Sequence, residues 1–249
     1  MSRIGEWLSR IFGTDDKVPR VVPFDGELPS DFHAKSRKAR TETALVRLGV
    51  PINRHLPRIE DESEVQLRSP EEVFARFSAL MTCALRADGL LCEPSPHAVD
   101  SKIRETIKLR QLASHFSPEE TAYLAEFSPT QHQSVQFAWQ YEAALPLAWA
   151  LGRWDDELGL PDQIVDLPRL VELFNTASEW QNLDLRDVSE ILDQADLIYR
   201  LHWACRNASQ ADEEAPVGLD YGVVMERHKA LNWLVGYCEL EWDDVTTDT

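Results

Sequence analysis

Residues 69–81, SPEEVFARFSALM, hold a helix start and a helix face in one stretch. Ser69 offers a side-chain oxygen to the unpaired N–H groups of a first turn, Pro70 has the fixed φ that suits the first helical position, and Glu72 stands where a capping-box carboxylate reaches back. Behind them Val73, Phe74, Phe77, Leu80 and Met81 recur at i, i+3 and i+4, the spacing of a buried helical face. The same start returns at Ser117-Pro118-Glu119-Glu120, followed by Tyr123, Leu124 and Phe127. Ser128-Pro129 opens a further helix, which the pattern carries through Trp149 to a stop at Gly152. Working outward, helical periodicity covers roughly 34–48, 97–114, 167–180, 187–208 and 220–236, and no alternating strand run interrupts it. The expected fold is all-α: a single globular multi-helix domain over residues 31–249.

Residues 1–30 read differently. MSRIGEWLSRIFG places Ile4, Trp7, Leu8, Ile11 and Phe12 at helical spacing opposite Arg3, Glu6 and Arg10, and a linker with Pro19, Pro23 and Pro29 follows. Residues 1–13 are expected to form a short amphipathic helix that docks on a membrane surface, on a partner or on its own domain.

A chain of 249 residues with 43% hydrophobic content can bury a large core. Its formal net charge of −18 excludes the usual nucleic-acid partner, because phosphate neutralisation supplies most of that affinity. A basic protein partner fits the charge, as does simple solubility. The charge is uneven: residues 1–58 hold 11 Lys and Arg against 7 Asp and Glu, and the remainder 14 against 36. Cys83, Cys92, Cys205 and Cys238 stand far apart without a C-x-x-C pair, which reads as reduced, buried thiols and a cytoplasmic location. No apolar run reaches the ~18–20 residues of a membrane span.

Three helical stripes each carry one ionisable residue. Glu142 falls among Val135, Ala138, Trp139, Leu145 and Trp149; His202 among Val188, Ile191, Ala195, Ile198 and Cys205; Arg227 among Val223, Ala230, Leu231 and Leu234. Pro146 lacks the N–H that would bond the Glu142 carbonyl, so acceptors gather there and Arg227 is the natural donor. The trio reads either as a buried ion pair with a core histidine, or as a pocket in which carboxylate and imidazole exchange a proton while arginine grips an anion. Of the eight tryptophans only Trp7 precedes Trp139, so Trp139, Trp203 and Trp233 are expected to wall this polar core, with acceptors for their indole N–H groups.

Other signals are weaker. Asp196 and Arg200 have the favourable i, i+4 order and read as a surface pair. His202, Cys205, Glu226 and His228 lack a metal-ligand spacing, and no glycine-rich phosphate loop or nucleophile elbow is present. Neither a metal nor a cofactor is expected. In the tail WDDVTTDT, Trp242 and Val245 suggest docking, with the acids reaching Arg200, Arg206 or Arg227.

Several segments in order carry a resemblance: Arg47 to Ile52 (RLGVPI), Leu67 to Val73 (LRSPEEV), Phe137 to Gly152 (FAWQYEA then LAWALG), Tyr199 to Arg206 (YRLHWACR), Glu226 to Leu234 (ERHKALNWL) and the final WDDVTTDT. Over roughly residues 35–249 the chain resembles an uncharacterised bacterial domain-of-unknown-function family. The resemblance implies no activity, cofactor or metal. Charge, size and motifs together point to a non-catalytic acidic protein-binding module, an immunity-type inhibitor or regulatory partner of a basic protein; the alternative is an enzyme or small-molecule-binding protein with a pocket at Glu142, His202 and Arg227.

Overall fold

The segment around Pro146 lies at the centre of the molecule, because from Tyr141 to Ala150 every residue is buried. A helix apolar on all sides must be covered on all sides. In the computed structural model, which describes residues 32–92, 96–177, 180 and 182–249, the elements are α1 (Phe32–Leu48), α2 (Pro70–Cys92), α3 (Pro96–Leu109), α4 (Pro118–Ala125), α5 (Gln131–Ala138), α6 (Gln140–Ala150), α7 (Leu167–Thr176), α8 (Val188–Gln210) and α9 (Tyr221–Leu234). Among the described residues there is no strand, so the fold is all-α. The leader helix expected over residues 1–13 and its linker lie outside the described residues.

Helix α6 packs between α2 and α9; α9 packs on α8, and α8 on α1, while α3 and α5 cover the other sides of α2. Val73, Phe77, Leu80, Met81 and Ala84 of α2 are fully buried, as the spacing of SPEEVFARFSALM requires. The caps form as read. Ser69 and Glu72 exchange backbone hydrogen bonds of 2.9 and 3.2 Å, and Ser117 with Glu120 makes the second capping box. Such caps are worth ~1 kcal/mol each.

Several local expectations fail. The helix expected from Ser128-Pro129 to Gly152 is two helices, capped by Thr130 with Gln133 and broken at Trp139, where the Glu142 N–H closes a tighter turn onto the Trp139 carbonyl at 2.9 Å. Neither proline nor glycine marks this break. Its effect is to turn α5 outward, so that Val135, assigned to the buried stripe, is 37% exposed. Phe127 lies beyond the end of α4 and is 80% exposed.

Arginines tie the helices together. Arg86 of α2 pairs with Asp100 of α3 at 2.9 Å and donates to the carbonyls of Tyr123 and Glu126, both at 2.6 Å, closing the end of α4. Arg76 meets the capping-box carboxylate Glu120. Asp196 and Arg200 are 0% and 2% exposed, so the expected surface pair is an interior one. Two hydrogen bonds, of 3.0 and 2.6 Å, join them, and Glu42 of α1 and the Pro57 carbonyl complete their cover. Helical spacing predicts the pair but says nothing of α1, which lies over it.

The tail docks through Trp242 and Val245, both buried. Its acids meet other partners than expected: Asp243 accepts the Glu119 N–H at the start of α4, and Asp248 accepts the Thr246 hydroxyl. Arg206 donates instead to the Thr249 carbonyl at 3.1 Å. Cys83 and Cys205 are buried as expected, whereas Cys92 and Cys238 are exposed. No helix among the described residues is long and apolar enough to cross a membrane.

Candidate functional site

Glu142 sits in the first turn of α6 and Arg227 midway along α9, on facing sides of the most closely packed helix pair after α2 and α6. Arg227 donates from Nε and Nη2 to Glu142 Oε2 at 3.1 and 3.0 Å, and from Nη1 to the Leu158 carbonyl at 3.1 Å. Glu142 Oε1 accepts the Val165 N–H at 2.6 Å. The pair is therefore a clamp. It fastens both ends of the 158–165 segment, which has no helix of its own, to the α6–α9 core. With exposures of 2% and 4%, the two charges are out of water, and each guanidinium nitrogen already has a protein acceptor. Such a pair contributes little net stability when whole and costs much when halved.

His202 is not part of this clamp. Its Nδ1 lies 2.8 Å from Nδ1 of His228, the residue after Arg227, and the two rings meet edge to face with centroids 5.1 Å apart. One imidazole donates and the other accepts. Burial holds both below the usual histidine range, His202 at about 4, helped by the cation of Arg206, and His228 at about 3, helped by His202 and opposed by a hydrogen bond to Asn232. The dyad is neutral at physiological pH. In the sequence His228 stands only among residues without a metal-ligand spacing. Its signal was available, since Val224, His228 and Leu231 repeat at i, i+4 and i+7.

The tryptophans do not wall a common site. Trp233 packs edge to face on Trp242 and under Arg68; Trp203 is half-buried on α8; Trp139 lies where a side chain at Gly222 would come within 2.9 Å of its ring. Guanidinium groups cover several indoles: Arg186 lies 4.9 Å from the Trp149 ring centroid, Arg169 3.9 Å from Trp154 and Arg153 5.4 Å from Trp180. The acceptors expected for buried indoles are missing at Trp149 and Trp233, whose N–H groups have none among the described residues. Cation–π contact is the interaction that these rings make instead.

Above the clamp lies a cleft of about 610 Å³. Trp154, Leu158 and Leu160 give it an apolar floor, and Asp156, Glu157, Asp162 and Asp166 place exposed carboxylates around it. One of its two arginines, Arg227, is spent on Glu142; the other, Arg169, pairs with Asp156 and stacks on Trp154. The cleft thus keeps a negative rim over an apolar base. In the sequence this stretch, WDDELGLPDQIVD, has no helical or strand period and so gave no sign that it forms a wall. Among the described residues no group of three or more His, Cys, Asp or Glu could hold a metal ion.

Residues 37–245 match the family described as Domain of unknown function (DUF4272), and the chain belongs to that family. No curated protein and no solved structure gives a significant match.

Proposed function

We propose that this member of the DUF4272 family is a non-catalytic protein-binding module whose acidic face receives a basic segment of a partner, as an immunity-type inhibitor or a regulatory subunit does. One observation carries the reading: the division of charge between inside and outside. Arg37, Arg76, Arg86, Arg200 and Arg227 are buried, against Asp61, Glu120, Glu142 and Asp196, so the interior is nearly balanced. Among the described residues the buried groups therefore account for none of the formal excess of −18. The cleft over the clamp supplies both parts of a recognition site for a Lys- or Arg-bearing segment, carboxylates at the rim and indole and leucine beneath. Against the pocket reading stands Arg227, which is 4% exposed and has three of its five N–H groups on protein acceptors, with its charge matched by Glu142.

The test is capture of partners from the native host on immobilised full-length protein, washed at increasing salt, beside the triple variant Asp156→Asn, Glu157→Gln, Asp162→Asn. The expected result is a basic partner released by salt and lost with the variant, because interactions between exposed charges fade beyond a Debye length of ~8 Å at 0.15 M. An acidic partner, or retention indifferent to both salt and variant, contradicts the reading.

A further inference from the structure

A separate cavity of about 420 Å³ opens between α8, α9, the 56–60 segment and the C-terminal tail. His228 forms its floor, 1% exposed and joined through Nδ1 to His202. Tyr199, Asn232 and Tyr237 supply polar groups along the walls, and Leu56, Ile59 and Val235 the apolar ones. At the mouth stand the exposed carboxylates of Glu60 and Asp248. The cation that borders the cavity, Arg58, is held by Glu64 through hydrogen bonds of 2.7 and 3.0 Å. Thr249 Oγ1 is buried at the edge with no partner among the described residues.

We propose that this cavity is a binding site for a small organic cation, an ammonium on a short hydrocarbon. The ammonium lies between the Asp248 carboxylate and the rings of Tyr199 and Tyr237, and the hydrocarbon rests on Leu56, Ile59 and Val235. Three features select that chemistry. The mouth carries carboxylates, and the cations beside it among the described residues are engaged, Arg58 by Glu64, Arg200 by Asp196 and Arg206 by the Thr249 carbonyl, so an anion gains little there. Phenol rings attract a cation through their faces. The floor is an uncharged imidazole, already bonded to His202 and Asn232, which brings no cation to neutralise an anion. The site shares no residue with the acidic cleft and does not depend on the protein-binding reading.

The experiment titrates ¹⁵N-labelled full-length protein with n-butylammonium, n-butanol and butyrate at constant ionic strength, following amide shifts. Saturable shifts at Tyr199, His228 and Asn232 are expected with n-butylammonium, binding by n-butanol about threefold weaker or worse, and no saturation with butyrate. Asp248→Asn keeps an oxygen for the Thr246 hydroxyl, so it should leave the melting temperature unchanged while weakening n-butylammonium about threefold or more. Glu60→Gln, at the other carboxylate of the mouth, should weaken it in the same direction. Butyrate or n-butanol binding as well as the cation, no saturable shift with any probe, or unchanged affinity in both variants overturns the proposal.

Discussion

Arg227 shows how one residue can be legible in type and illegible in role. A guanidinium in an apolar stripe had to have a buried partner, and Glu142 was the nearest unmatched acid by pattern; the structure joins them at 3.0 Å. What the stripe could not disclose is the third and fourth members of the clamp, the Leu158 carbonyl and the Val165 N–H, because they belong to a segment without period. Arg227→Ala should cost about 3–5 kcal/mol in urea denaturation, since it strands a buried carboxylate. The double variant Glu142→Leu, Arg227→Met should recover a large part of that loss, because apolar groups of similar volume remove both desolvated charges. A double variant no more stable than Arg227→Ala would refute the structural role of the pair. The stripe of His202 likewise says nothing of its partner, because His228 lies on an adjoining stripe of α9. The dyad makes a prediction of its own. Both folded values, about 4 and about 3, lie below the ordinary 6.5, so between them the unfolded chain binds more protons. The stability that neutral histidines contribute is complete above pH 6.5 and is lost as pH falls toward 4. The melting temperature should therefore drop between pH 7 and pH 5, and the drop should be smaller in His228→Asn. Equal drops in both proteins would exclude the dyad as its source.

At the scale of elements, helix starts were the most readable features, because a cap is a local arrangement: Ser69 with Glu72 and Ser117 with Glu120 are bonded as their spacing requires. Breaks and turns were less so. The division of α5 from α6 at Trp139 has no proline or glycine to mark it, and the Trp139 ring lies so near α9 that a Cβ at Gly222 would stand 2.9 Å from it. The turn after α9 is a tertiary matter. Gly236 has φ of 70°, and a Cβ there would stand 2.8 Å from the backbone oxygen of Gln66, whereas Gly152, at φ 65°, has open space around it. Both glycines relieve left-handed strain, yet only Gly236 also admits a neighbouring backbone. Gly236→Ala should thus destabilise by about 1–3 kcal/mol more than Gly152→Ala, measured by thermal or denaturant unfolding. Equal losses would mean that the approach of Gln66 is easily relaxed.

For the whole molecule, the all-α class followed from period alone, and the interior charge balance did not. Composition reported the excess of carboxylates but could not say which arginines were withdrawn from the surface; Arg200, read as exposed, is among those inside. The buried charges nearly cancel, so they leave the acidic excess unneutralised, which supports recognition of a basic partner over the cleft at Asp156, Glu157 and Asp162. The most direct measurement is calorimetric titration of the full-length protein with its captured partner at low and at physiological ionic strength, in wild type and in the triple-neutralised cleft variant. The account predicts that affinity falls steeply with salt in the wild type, and that the variant binds weakly with a shallower salt dependence. Equal affinity for the two proteins across the salt range would contradict it.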